Sequence, residues 1–138
     1  MRTSHIAWMP GARELHDELA AAGIPQALVS NSWRKLVDAA LTDLDTAFGV
    51  VIAGDEVTHA KPDPEPFALA CARLGASPRN SVVLEDSPTG VAAGLAAGCH
   101  VVAIPHIGGI DPAPRLTVLD TLAGVTVAQL DAIATGAR

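Results

Sequence analysis

At 138 residues, 49% of them apolar, the chain has the length of one ordinary domain and can bury roughly two thirds of the surface its unfolded form exposes. Nine Lys and Arg against fifteen Asp and Glu give a net charge of -6 with no run of basic residues, which argues against a nucleic-acid scaffold. No apolar run approaches the roughly 18 residues of a membrane span, Met1–Pro10 lacks the apolar centre of a signal peptide, and Cys71 and Cys99 form neither a C-x-x-C pair nor a disulfide framework. The expectation is a soluble protein of the reducing cytoplasm, with no membrane and no nucleic-acid partner.

Four times along the chain a segment of helical apolar spacing ends near a glycine and gives way to a short apolar run, a rhythm that predicts an α/β fold. Pro10 opens the first helix, Leu15 and Leu19 share a face, and Gly23 ends it. Gln26–Val29 is the first strand. A second helix is predicted over Trp33–Asp45, with Trp33, Leu36, Val37, Ala40, Leu41 and Leu44 as one apolar stripe. Val50–Ala53 is the second strand. The Pro-rich run 61–66 leads into a helix over Glu65–Leu74 that stops at Gly75. Ser81–Leu84 is the third strand; Ser87 caps and Pro88 opens a fourth helix that runs to Ala97, and His100–Ile104 is the fourth strand. The tail holds a Pro- and Gly-containing loop and a last helix after Thr126. Strands joined by such helices are parallel and right-handed, so their C-terminal ends share one edge, where function is expected. Residues 1–138 read as one domain.

Three clusters lie at those strand ends. Ser30-Asn31-Ser32 follows the first strand and precedes a helix, a placement that suits phosphate, although Ser32 reads equally as a simple helix cap. Glu85-Asp86 follows the third strand; two adjacent carboxylates at a half-buried edge call for a cation between them, and a hard ion such as Mg²⁺ meets that need. The local alternative has Asp86 or Ser87 capping the helix and Glu85 in solvent. Lys61, held by Pro62 and Pro64, can neutralise a transferring phosphoryl group, whereas an isolated lysine is ordinarily a solvated surface charge. The histidines share no metal-ligand spacing; His16 reads as helix surface, His100 as a strand start, and His59 and His106 as loop residues near the functional edge that could contact substrate. Cys71 and Cys99 read as small buried hydrophobes.

Taken in order, these residues resemble the haloacid dehalogenase superfamily of phosphohydrolases, in its β-phosphoglucomutase-like branch, over about Met9 to Ile110. Leu28-Val29-Ser30-Asn31-Ser32 resembles the family's second motif, which assigns phosphoryl binding to Ser30 with Asn31 in support. Lys61-Pro62-Asp63-Pro64-Glu65-Pro66-Phe67 resembles the third, which assigns charge stabilisation and phosphate contact to Lys61. Val82-Val83-Leu84-Glu85-Asp86-Ser87-Pro88-Thr89-Gly90 resembles the fourth, which assigns Mg²⁺ to Glu85 and Asp86. The fold implied is a three-layer, Rossmann-like core around a parallel sheet.

The family reaction starts from an aspartate in a D-x-D motif at the end of a first, central strand, with a second aspartate as acid and base. That motif is absent here. Asp43-Leu44-Asp45-Thr46 imitates it, but after the serine motif and at a helix end, where a nucleophile could not come within about 3–3.5 Å of phosphorus. The chain therefore reads as the C-terminal part of a longer enzyme, an incomplete core without its central strand and without a cap domain. Loss of that strand leaves two facing backbone edges unpaired, so the flanking strands close up or another chain completes the sheet, as a homo-oligomer or a complementing partner. The reading is an Mg²⁺-dependent phosphatase or phosphomutase of small phosphorylated metabolites acting through an aspartyl-phosphate. The alternative is a non-catalytic remnant that binds phosphate and Mg²⁺ or assembles with a partner. A carbon–halogen hydrolase is disfavoured by the Glu85-Asp86 pair, since a halide leaving group needs no metal.

Overall fold

The computed structural model describes residues 10–44, 47–104 and 110–136. Five α-helices and five strands lie along them, alternating except where β5 follows β4: α1 (Ala12–Ala21), β1 (Ala27–Val29), α2 (Arg34–Asp43), β2 (Val50–Ile52), α3 (Glu65–Leu74), β3 (Val82–Glu85), α4 (Pro88–Ala96), β4 (His100–Ala103), β5 (Leu116–Val118) and α5 (Val127–Thr135). The α/β reading holds, with each predicted helix and strand present to within about two residues. Pro10 lies one residue ahead of the α1 N-cap, which is Gly11 in the left-handed conformation.

Every strand pair is parallel. β4 lies between β3 and β5, and β1 pairs with β2 through Ala27–Val50, Leu28–Val51 and Val29–Ile52. The layers follow from the period-two alternation of a strand. On β4, Val101 and Ala103 pack with Phe67 and Cys71 of α3 and with Val91 and Ala93 of α4. Val102 and Ile104 point the other way and pack with Leu15 and Leu19 of α1 and with Leu130 of α5. Val101 and Val102 are completely buried, and full burial of a Val, Leu or Ile contributes about 1.5–3 kcal/mol each, so β4 anchors both faces. The result is the three-layer core that the sequence implied.

The sheet departs from that expectation at its middle. Among the described residues it is two pieces, β1–β2 and β3–β4–β5, and β1 and β3 are not paired with each other. The flanking strands have not closed up. Between them lies an apolar cavity of about 770 Å³, lined by Ala27 and Val29 of β1, Val82 and Leu84 of β3, Leu15 of α1 and Phe67 of α3.

Two other readings need correction. β5 was expected to be loop; Leu116-Thr117-Val118 forms a three-residue edge strand on β4, reached through Arg115 at φ 64, whose guanidinium donates to the carbonyls of Cys99 (2.6 Å) and Leu95 (3.0 Å). The α2 stripe is narrower than its spacing implied. Val37 and Ala40 are buried, but Trp33 is 69% exposed and Leu36 46% exposed.

Candidate active site at the strand ends

The turn after β1 is held by short-range bonds. The Ser30 N–H continues the ladder to the Ile52 carbonyl (2.9 Å), and Ser30 Oγ accepts from the Ser32 N–H (3.0 Å). Ser32 does not cap α2: the N-cap is Trp33, and the first helical N–H, that of Arg34, donates to Asp55 Oδ1 at 2.9 Å. Asp55 belongs to the 3₁₀ turn Gly54–Glu56 after β2, so the two strand-end loops are joined. Gly54 allows this approach, because a Cβ there would lie 2.0 Å from the Asn31 carbonyl oxygen.

Asn31 acts as a clamp on the lysine loop. Its Oδ1 accepts from the Lys61 N–H (3.1 Å) and its Nδ2 donates to the Lys61 carbonyl (3.4 Å). Both side-chain groups are thus engaged with protein. The Lys61–Pro62 bond is cis. Glu65 tightens the same loop: its carboxylate accepts from the N–H groups of Thr58 (2.7 Å) and His59 (2.9 Å), and these bonds lower its pKa below the usual range. His59, Asp63 and Glu65 bring potential ligand atoms within 4.8 Å of one another. Asp63 Oδ1 accepts from the Glu65 N–H (2.9 Å). His59 itself is exposed, with its ring 3.4 Å from Glu65.

Lys61 is not a solvated surface charge. Only 9% of its side chain is exposed; Nζ donates to the Val29 carbonyl at 2.9 Å, forms an ion pair with Glu85, and lies 5.0 Å from the centre of the Phe67 ring. Glu85 is likewise not in solvent, with 10% of its side chain exposed. Its other oxygen accepts from Ser87 Oγ (3.3 Å), and Ser87 is the α4 N-cap, its hydroxyl accepting from the Gly90 N–H at 3.2 Å. The capping alternative therefore holds for Ser87, and the same residue also orients Glu85. Sequence reasoning gave Gly90 no role of its own, yet a Cβ there would fall 2.0 Å from Glu85 Cδ and Oε1. A glycine in the first turn of a helix, where it costs stability relative to alanine, was the available signal.

The fold thus brings Ser30, Asn31, Lys61, Glu85 and Asp86 to one edge, around the mouth of the cavity between β1 and β3. His100 begins β4 at the opposite end of the strands, and His16 is half-buried, bonded to Gln26 Oε1 at 2.9 Å, with its ring 4.5 Å from that of Phe48 and tilted by 43°. Cys71 and Cys99 are buried, and burial together with the adjacent Cys71 pushes the Cys99 thiol up to about 12. His5, Asp45 and His106 lie outside the described residues. Among the described residues no helix is long and apolar enough to cross a membrane.

Residues 1–104 match the family of haloacid dehalogenase-like hydrolases. Hexitol phosphatase A of Escherichia coli is 36% identical over 133 residues, which cover 91% of this chain and 59% of that protein. CbbY from Rhodobacter sphaeroides, solved in complex with phosphate, shares the fold with a TM-score of 0.81 at 30% identity, over 89% of this chain and 58% of that one. A β-phosphoglucomutase-like protein from Thermotoga maritima gives a TM-score of 0.67 at 28% identity, over 92% of this chain and 58% of that one. The chain spans less than two thirds of the length of each. With the three motifs gathered at one strand edge of a matching fold, the chain belongs to the haloacid dehalogenase-like hydrolases.

Proposed function

We propose that this chain carries the phosphate- and metal-binding half of an Mg²⁺-dependent phosphatase or phosphomutase for small phosphorylated metabolites. The observation that carries it is the convergence of Lys61 with Ser30 and Glu85 at one mouth. Hexitol phosphatase A, by its name, removes phosphate, and CbbY is described in complex with phosphate; both support a phosphorylated substrate. In this reading Ser30 Oγ and the Asn31 N–H, at the end of β1, donate to the phosphoryl oxygens. Lys61 neutralises charge that grows on the phosphoryl group in the transition state.

The donors after β3 fit Mg²⁺. Glu85, Asp86 and the nearby hydroxyls offer oxygen alone, and a hard divalent ion takes one or two carboxylates and completes its shell with water and phosphate oxygens. Bound there, the ion would supply positive charge against the phosphate oxygens. Asp86 and Glu85 would hold the ion, with Glu85 also paired to Lys61. The attacking carboxylate, which would form an aspartyl-phosphate, is not among the candidate residues of this chain.

Hydrolysis of p-nitrophenyl phosphate by the 138-residue chain, with and without Mg²⁺, tests this division of labour. The expected result is no turnover in either condition. Mg²⁺-dependent turnover that disappears in Asp45→Ala would place the nucleophile on this chain and overturn the assignment.

A further inference from the structure

The loop between β2 and α3 gathers donors that the phosphate and Mg²⁺ residues do not use. His59, Asp63 and Glu65 bring one imidazole nitrogen and two carboxylate oxygens within 4.8 Å of one another. His59 Nδ1 lies 3.4 Å from Glu65 Oε1. Ligands held at 2.0–2.2 Å on a tetrahedral Zn²⁺ ion stand about 3.3–3.6 Å apart, so this pair already spans one edge of such a shell. Main-chain groups set the direction of both carboxylates: Glu65 Oε2 accepts from the Thr58 N–H at 2.7 Å, and Asp63 Oδ1 from the Glu65 N–H at 2.9 Å. Bonds of this kind orient the ligands of a metal centre from behind. The backbone that carries them is stiff as well. Pro62 and Pro64 flank Asp63, and both side-chain groups of Asn31 bind the Lys61 main chain between His59 and Asp63. Much of the ordering that binding would otherwise cost is therefore present beforehand.

We infer that His59 Nδ1, Asp63 and Glu65 bind one divalent ion of the Zn²⁺ class, with water completing its shell. The imidazole sets this centre apart from the carboxylate pair after β3. A nitrogen donor suits Zn²⁺, Co²⁺ or Ni²⁺, whereas donors that are oxygen alone suit Mg²⁺. Charge is balanced, because two carboxylates match a divalent ion and the imidazole binds it neutral. The His59 side chain is 67% exposed and those of Asp63 and Glu65 are half-buried, so the ring can swing the last few tenths of an ångström and water reaches the remaining positions. The histidines share no ligand spacing among themselves, and only the combination of one with acids four and six residues on makes the set. A bound ion would tie the start of α3 to the segment ahead of Lys61. The inference rests on this loop and not on the activity proposed above.

The test is calorimetric titration of Zn²⁺ into the full chain in excess Mg²⁺, which competes for sites built of oxygen alone, repeated on His59→Gln and Asp63→Asn. Neither position is buried, and asparagine keeps an oxygen for the Glu65 N–H, so both variants should fold. One Zn²⁺ per chain is expected, with affinity at least about tenfold weaker in each variant. Long-range proton–nitrogen spectra of the histidine rings should then show His59 Nδ1 shifting as Zn²⁺ is added. No saturable binding in excess Mg²⁺, an affinity unchanged in either variant, or a shift at His16 or His100 in place of His59 would overturn the inference. None of these readings depends on phosphate binding or turnover, so the centre after β3 can fail while this one stands.

Discussion

An ammonium with 9% of its side chain exposed is stable only against an anion or a carbonyl, and Lys61 has both in Glu85 and Val29. Removing one member leaves the other charge unpaired away from water, so Lys61→Met should destabilise the chain by about 3 kcal/mol. Adding Glu85→Gln should recover most of that loss. Urea unfolding of the two variants with unchanged m-values checks this; a loss below about 0.5 kcal/mol in the single variant would make the pair an ordinary surface contact. Ser30, Lys61, Glu85 and Asp86 could be singled out from the sequence because their motifs keep a fixed order. The contacts that place them could not. Asn31's clamp on Lys61 spans 30 residues, and the need for Gly54 and Gly90 becomes visible only when Asn31 and Glu85 stand against them.

The start of α2 shows how an element can depend on charges near the surface. Arg34 donates to Glu56 through Nε (2.7 Å) and through a second nitrogen (2.6 Å), while Glu56 also accepts from the Ala53 N–H at 2.9 Å. The bond to Glu56 raises the Arg34 pKa, and the bonds from Arg34 and then Ala53 lower that of Glu56 below its usual 4.5. A depressed carboxylate contributes stability above its unfolded pKa and loses it as pH falls through the folded value. The stability gap between the native chain and Glu56→Gln should therefore be full at pH 7 and shrink below about pH 4.5; thermal melts across pH 3–7 measure it, and a gap independent of pH would refute the latch. Periodicity located α2 but overstated its buried face, because spacing cannot say how far a neighbouring layer extends over Trp33 and Leu36. It passed over β5 because three residues beside Pro112 and Pro114 carry too little pattern, and their pairing with β4 is set by contacts 15 residues away.

At the scale of the molecule, the layering was legible because the alternating helices and strands leave few parallel arrangements open. The division of the sheet was not: the expectation was that the flanking strands close up or are completed by another chain, whereas among the described residues β1 and β3 stand unpaired across a cavity. How that space would be treated was not legible, since closing it and holding it open differ by packing of α1, α3 and α5 that only coordinates display. Because Lys61 and Glu85 are braced by α3, α4 and the Asn31 clamp, the anion site should exist without the attacking carboxylate. Calorimetric titration of inorganic phosphate into the chain, with and without Mg²⁺, measures this directly. Saturable binding that requires Mg²⁺ and weakens at least about tenfold, or 1.4 kcal/mol, in Ser30→Ala and in Asp86→Asn is the expected result; binding that is absent with Mg²⁺, or indifferent to both substitutions, would contradict it.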